Sequence, residues 1–145
     1  MDAYDSLKLE NQICFPLYAA SREVIKQYHP FLESLDITYT QYIVMLVLWE
    51  KNKLNVKDLG KKLFLDSGTL TPLLKNLEKK GYIKRSRDID DERNVIVELT
   101  SEGISLKEKV KDIPEKVGNC LRLEPQEAIE LYKLLYKILN NLTDN

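Results

Sequence analysis

Two cysteines carry the most reactive side chains of this sequence. Cys14 and Cys120 stand far apart along the chain, and neither has a histidine or another cysteine nearby at the spacing of a metal site, so we expect no metal and no cofactor. A thiolate attacks peroxides, and phenol donors or a helix terminus favour this charged form. In a reducing compartment a structural disulfide is not expected. The pair therefore suggests redox-responsive chemistry, although a cysteine on an apolar helix is more often a packing residue.

A second set of candidates lies on a helix that we predict between Asp66 and Gly81. Four leucines between positions 70 and 77 recur at helical spacing and form its buried stripe. Asp66 or Ser67 can cap its start, whereas Pro72 predicts a bent or late-starting first turn. The opposite face carries small, hydroxylated and cationic side chains, which suit base edges and phosphates in a major groove. The candidate DNA-binding residues on this helix are Ser67, Gly68, Thr69, Thr71, Pro72, Lys75, Asn76 and Lys79.

The neighbours of this helix predict a winged helix-turn-helix over about residues 54–100. A shorter amphipathic helix precedes it, and the apolar period then changes from 3.6 to 2. This change predicts two strands, 82–87 and 94–99, joined by the polar tip 88–93, with a brief third strand near Leu54. The candidate DNA-binding residues of this hairpin, the wing, are Arg85, Arg87, Asp91 and Arg93.

Charge is distributed unevenly along the chain. The 145 residues have a net charge of -1 and are 43% hydrophobic, which suits one domain over residues 1–145. Residues 53–93 carry 11 Lys or Arg against 7 Asp or Glu, a net charge of +4, and the remainder carries -5. The positive charge therefore lies on the proposed DNA reader. Without a long apolar run or a signal-peptide pattern, we expect no membrane association and a cytoplasmic location.

The first helical pattern covers about residues 7–35. Pro16 lies inside this pattern, so the helix either begins near Gln12 or kinks just after Cys14. After Pro30 we expect a separate short helical piece. These prolines predict an irregular backbone beside the cysteine.

The second flanking region, about residues 101–143, predicts further helices. A kink or break is expected near Pro114, and Pro125 is expected to begin the last helix. That helix has a wide apolar face over residues 129–142, and a single winged helix has no surface to bury it. We therefore expect a homodimer with interleaved terminal helices, whose two recognition helices, ~34 Å apart, fit a double-stranded DNA operator with two-fold symmetry.

The centre of the fold is predicted at residues 42–50. This stretch is almost wholly apolar, which indicates a helix buried on most sides, and Thr38 or Thr40 can cap it. Together the elements predict a mainly α fold with a small β-hairpin wing. It is a winged helix-turn-helix with long N- and C-terminal dimerisation helices.

The order of elements resembles the MarR family of bacterial transcription regulators. The stretch Leu65-Asp66-Ser67-Gly68-Thr69-Leu70-Thr71-Pro72-Leu73-Leu74-Lys75, with Asp91-Glu92-Arg93 in the wing, is similar to its organic hydroperoxide resistance regulators. So are Leu9-Glu10-Asn11-Gln12-Ile13-Cys14-Phe15 and Ile37-Thr38-Tyr39-Thr40-Gln41-Tyr42. The resemblance covers essentially the whole chain, although Pro16 departs from the pattern expected beside the cysteine.

This resemblance implies a role for each matching residue. It makes Cys14 the thiol that reacts with an organic hydroperoxide, the inducer, while Tyr28 and Tyr39 hydrogen-bond to its thiolate and Tyr18 lines the same pocket. Residues Thr69, Thr71, Pro72 and Lys75 would face the major groove, and Arg93, steadied by Asp91, would enter the minor groove. In some members a second cysteine near the end of the fifth helix forms a disulfide with the oxidised first cysteine, and Cys120 lies in that region. The implied function is a repressor released from DNA by oxidation.

Three other functions remain open at this point. The first is a regulator of the same fold that responds to a small aromatic ligand. The second is a thiol peroxidase, and the third is a module that uses the winged fold for protein contacts. The peroxidase is disfavoured because Cys14 has no partner set for turnover and the wing would have no use. We therefore expect no enzymatic activity.

Overall fold

The structure is a computed structural model that describes residues 2–143. Two short 3-10 turns, Asp5–Leu7 and Leu9–Asn11, precede the first α-helix. The helices are α1 (Cys14–Glu33), α2 (Tyr39–Lys51), α3 (Val56–Leu63), α4 (Ser67–Lys79), α5 (Ser101–Val110), α6 (Ile113–Leu121) and α7 (Pro125–Leu142). The strands are β1 (Lys53–Asn55), β2 (Ile83–Arg87) and β3 (Val95–Leu99).

The three strands form one antiparallel sheet in the order β1-β3-β2. In the hairpin, Ile83 pairs with Leu99 at the base and Arg87 pairs with Val95 near the tip. The short β1 pairs with the other edge of β3, so Leu54 lies opposite Val97. The predicted wing and its brief third strand are therefore confirmed.

Helix α4, the recognition helix, has the ends that the sequence indicates. The Asp66 carboxylate accepts a hydrogen bond from the Thr69 backbone N–H at 2.7 Å, so Asp66 and not Ser67 is the N-cap. After the helix, Gly81 adopts a φ of +84°, a left-handed conformation that costs glycine little. The leucine stripe is buried in the core, so the polar face of α4 is turned outward.

Helix α2 lies at the centre of the packing. Its first turn is closed by a capping box in which Thr38 and Gln41 bond reciprocally, and six of its 13 residues are buried. Near its end the Trp49 indole N–H donates to the Gly103 carbonyl at 2.8 Å. A Cβ atom on Gly103 would lie 2.1 Å from the Tyr82 carbonyl oxygen, so only glycine allows α5 to approach the base of the wing this closely.

Two expectations about proline are corrected. Helix α1 continues through Pro30 to Glu33, so the prediction of a separate short helix after Pro30 is wrong. Leu32, two residues after this proline, is 1% exposed, and its packing in the core stabilises the last turn of the helix. The helix begins at Cys14, so Pro16 falls in the first turn, where its missing N–H costs nothing. The predicted break near Pro114 is confirmed, since α6 begins one residue earlier.

The terminal helices leave a large apolar surface uncovered in one chain. No residue of α7 is buried, and Leu142 is 80% exposed. The N-terminal half of α1 is also largely exposed. Ile13, the residue before this helix, is 84% exposed. One aromatic contact reaches α7 from the winged helix, between the rings of Phe64 and Tyr136 at 6.5 Å. None of the helices within residues 2–143 combines the length and apolarity that crossing a membrane requires.

Candidate DNA-binding surface and cysteine site

The outward face of α4 presents the residues that the sequence selected. All eight candidates from Ser67 to Lys79 are exposed. The Thr71 hydroxyl donates to the Ser67 carbonyl, one turn earlier in α4, at 2.7 Å. Lys75 lies on the same face with its ammonium free of any ion pair among the described residues. The side chains of this face are therefore accessible to a DNA partner.

The tip of the wing holds Arg93 in an exposed position. Its side chain is 91% exposed and donates to both carboxylate oxygens of Asp91, at 3.1 and 3.3 Å. These hydrogen bonds lower the pKa of Asp91, which stays ionised and keeps the guanidinium oriented. Arg87 is held less firmly, by one bond to the Glu92 carbonyl at 3.1 Å. The wing therefore points two cations away from the body of the protein.

Arg85 and Asn76 are engaged within the chain instead. The Arg85 guanidinium contacts the Glu78 carboxylate at 3.0 Å, and the Arg85 backbone N–H donates to the same carboxylate at 2.8 Å. The Asn76 side-chain oxygen accepts from the Gln41 amide at 2.8 Å. Their role as direct DNA contacts stays a prediction; in the free protein Arg85 ties the wing to α4.

Two cations that the sequence reading passed over line the same surface. Lys57 and Lys61, on the outer face of α3, border a groove of about 1330 Å³ that α4, the wing and the C-terminal end of α7 also line. Lys75 and Arg93 border it from the other side. The signal was present, because two lysines four residues apart lie on one face of a helix. Their positions suit contacts to phosphate, since the first helix of a helix-turn-helix crosses the DNA backbone.

Both cysteines are free and exposed, at opposite ends of their helices. Cys14 is the first residue of α1, where unpaired backbone N–H groups favour negative charge. Cys120 is near the end of α6, with its sulfur 3.3 Å from the Lys116 carbonyl oxygen. Tyr18 lies one turn after Cys14 and is exposed, with the Arg22 guanidinium 5.4 Å from its ring centre.

The other two candidate tyrosines belong to an aromatic cluster away from Cys14. The rings of Tyr28 and Tyr39 are 4.9 Å apart, and each also contacts Tyr42. Burial raises the pKa of all three phenols, that of Tyr42 to about 12, so each remains a hydrogen-bond donor at neutral pH. Tyr28 follows Cys14 by fourteen residues on one helix, which separates their backbones by about 21 Å. A single chain therefore does not bring Cys14 to Tyr28.

Comparison with known proteins identifies the family. The sequence model of the family of SarA/Rot transcriptional regulators matches residues 26–110 of this chain. The chain is also 49% identical over 139 residues to the organic hydroperoxide resistance transcriptional regulator of Bacillus subtilis (strain 168), and the match covers 96% of this chain and 95% of that protein. This chain belongs to the SarA/Rot family of MarR-like regulators. It is a DNA-binding transcriptional regulator and not an enzyme.

Solved structures agree with this family and its fold. The structure of reduced AbfR bound to DNA, a protein of Staphylococcus epidermidis, is 36% identical, with a TM-score of 0.80 over 99% of this chain and 100% of that one. A mutant MarR of E. coli, complexed with operator DNA, is 25% identical, with a TM-score of 0.82 over 96% of this chain and 99% of that one. The predicted winged helix-turn-helix and the resemblance to MarR are therefore confirmed.

The contact between Glu78 and Arg85 gives a prediction for pH. Hydrogen bonds from the Arg85 backbone and side chain, and then its charge, lower the pKa of Glu78 below the ordinary 4.5. Because folding lowers this pKa, the pair stabilises the protein above about pH 4.5, and the contribution is lost as pH falls through the lower folded-state value. We expect Glu78→Gln to reduce the free energy of unfolding at pH 7 by less than about 1 kcal/mol, because the site is partly screened by solvent.

Denaturant unfolding of wild type and Glu78→Gln between pH 3 and pH 7 measures this contribution. The gap between the two proteins should close at the acidic end. Glu115→Gln is the control, since Glu115 is exposed on α6 and is in no ion pair among residues 2–143. A gap for Glu78→Gln that stays constant over the whole range would mean that the ion pair contributes nothing.

Proposed function

We propose that this protein is a homodimeric repressor that leaves its operator when an organic hydroperoxide oxidises Cys14. The observation that carries the proposal is the exposed Cys14 at the N-terminus of α1, in a chain 49% identical to an organic hydroperoxide resistance regulator. The exposure of Cys14 gives a hydroperoxide access to the sulfur.

The oxidation step needs only the thiolate and the hydroperoxide. The Cys14 sulfur attacks the outer oxygen of the peroxide, a sulfur–oxygen bond forms and the oxygen–oxygen bond breaks. Sulfur loses two electrons and becomes a sulfenate. The peroxide is reduced to an alcohol, whose alkoxide takes the proton that the hydroperoxide carried. No metal or cofactor enters this step.

A second copy of the chain completes the thiol site in this proposal. Cys14 is about 21 Å from Tyr28 along α1, so the phenols of Tyr28 and Tyr39 meet the partner subunit's Cys14. The uncovered apolar faces of α1 and α7 supply the interface, because a surface of this size is rarely left to solvent. Two-fold symmetry then gives two equivalent sites per dimer.

On DNA, each subunit places α4 in the major groove and Arg93 in the minor groove. We expect Arg93→Ala to weaken specific operator binding at least tenfold, because it removes one oriented cation from each half-site. Each lost phosphate or groove contact also lowers the slope of log affinity against log salt by about 0.9, or by about two per dimer. Wild type itself should lose on the order of a thousandfold between 50 and 200 mM salt.

Fluorescence anisotropy with a palindromic operator at several salt concentrations measures both quantities. Lys111→Ala is the matched control, since it removes one positive charge on the turn between α5 and α6, away from α4 and the wing. Arg93→Lys tests whether charge alone is enough. An Arg93→Ala protein that binds as tightly as wild type, with an unchanged slope, would remove the wing from the DNA interface.

Cys120 is proposed as the resolving thiol. The partner subunit's Cys14 sulfenate takes a proton from water to become the sulfenic acid, and the Cys120 thiol then condenses with it, so that a sulfur–sulfur bond forms, the sulfur–oxygen bond breaks and water leaves. The alpha carbons must come within about 7 Å, which requires α1 and α6 of the two copies to move relative to each other. Such a movement would change the spacing of the two recognition helices and so release the operator.

Cumene hydroperoxide should therefore convert wild type into a reducible covalent dimer and release it from DNA. Cys14→Ser should stay bound at every dose, and Cys120→Ser should stop at a sulfenate or a mixed disulfide. A mobility shift, a non-reducing gel and a mass spectrum of one sample give all three readouts. Release of Cys14→Ser at the wild-type dose would exclude Cys14 as the sensor; release of wild type that remains monomeric on the gel would exclude Cys120 as the resolving thiol.

A second candidate function is regulation by a small aromatic ligand, with the cysteines not involved. A cleft of about 420 Å³ favours it, because Tyr28, Tyr39 and Leu32 provide an apolar wall and Lys80 provides a cation. Release of Cys14→Ser from DNA by a phenolic acid such as salicylate, without peroxide, would favour this function over the oxidation of Cys14.

A further inference from the structure

Gln41 has an unusual environment within the part of the chain that the structure describes. Among residues 2–143 it is the one buried residue whose side chain is an amide or a charged group, at 4% exposure. A buried amide is costly unless its groups are hydrogen-bonded, and here they are. The Gln41 oxygen accepts from the Thr38 backbone N–H at 3.0 Å and from Lys80 Nζ at 3.3 Å, while its nitrogen donates to the Asn76 oxygen at 2.8 Å.

These bonds join two parts of the fold that have different tasks. Thr38 and Gln41 close the first turn of α2, whereas Asn76 lies on the exposed face of α4, the recognition helix. Lys80, at the C-terminal end of α4, also donates to the Asp36 carbonyl in the turn between α1 and α2. The start of α2 is therefore bonded to the C-terminal half of the recognition helix.

The same first turn of α2 carries a tyrosine of the proposed thiol site. Tyr39 is two residues before Gln41, and its ring is tilted against that of Tyr28, with an angle of 53° between the ring planes. Both rings border the 420 Å³ cleft that Gln41, Asn76 and Lys80 also border. Gln41, whose side chain is bonded directly to α4, thus lies between two residues of the aromatic cluster, Tyr39 and Tyr42.

We propose that Gln41 is a positioning residue that transmits a displacement of Tyr39 to the recognition helix. The idea rests on the proposed function, in which Tyr39 bonds to the partner subunit's Cys14 thiolate and loses that bond on oxidation. A shift of Tyr39 turns the first turn of α2, and the hydrogen bond from Gln41 to Asn76 turns α4 with it. The switch is thereby coupled within one subunit, in addition to any movement between subunits.

The measured quantity is the ratio of operator Kd after cumene hydroperoxide to operator Kd before it. Gln41→Leu keeps the buried volume but removes the amide bonds, and it should lower this ratio about fivefold to tenfold. Trp49→Phe is the matched control, because it removes one hydrogen bond from α2 that goes to Gly103 and not to α4.

Thermal unfolding confirms that each variant is folded. A Gln41→Leu ratio equal to that of wild type overturns the proposal. So does an equal fall for Trp49→Phe, since that would indicate general loosening of α2.

A second experiment does not depend on peroxide. In reduced protein, a double-mutant cycle on operator Kd combines Tyr39→Ala with Gln41→Leu, and separately with Trp49→Phe. Transmission through Gln41 predicts that Tyr39→Ala has a smaller effect once Gln41 is gone, while the Trp49→Phe cycle is additive. Additive effects in both cycles overturn the coupling. If wild type is not released by hydroperoxide but the first cycle is non-additive, the proposed sensor is wrong and the coupling stands.

Discussion

The length of α1 constrains the whole molecule. Cys14 begins this helix and Tyr28 lies fourteen residues further on, about 21 Å away, so one chain separates the reactive thiol from the phenols that suit it. Within residues 2–143, the apolar N-terminal half of this helix is largely exposed, and no residue of α7 is buried. A second copy of the chain would cover these apolar faces and would also bring the phenols to Cys14. The surface that forms the dimer is, in this account, also the surface that forms the sensor.

A few polar contacts over an apolar core join α4 to the wing and join α2 to α4 and α5. Glu78 and Arg85 hold the wing to α4, and the bond from Trp49 to Gly103 holds α5 to α2. The buried amide of Gln41 holds α4 to the start of α2. Each contact spans two elements. In the proposed dimer, these contacts would carry a change at the subunit interface to the recognition helices.

Local patterns in the sequence were enough to predict the winged helix-turn-helix but not the contacts between its side chains. The change of apolar period between α4 and β2 marks the wing, and the capping residue and glycine mark the ends of α4. The continuity of α1 through Pro30 was missed, because packing of Leu32 outweighs the local cost of proline. The bond from Gln41 to Asn76 joins residues 35 apart in sequence, and no periodicity reports such a pairing. The same holds for the separation of Cys14 from the tyrosines, which only a helix of known extent reveals.

A heterodimer tests the shared thiol site most directly. One subunit carries Cys14→Ser, the other carries Tyr28→Phe with Tyr39→Phe, and different affinity tags allow the mixed dimer to be purified. If the site forms between subunits, the remaining Cys14 faces intact tyrosines, and it should form sulfenate with cumene hydroperoxide at the wild-type rate per site. The homodimer of the double phenylalanine variant should react more slowly. A heterodimer that reacts as slowly as that homodimer would contradict the account.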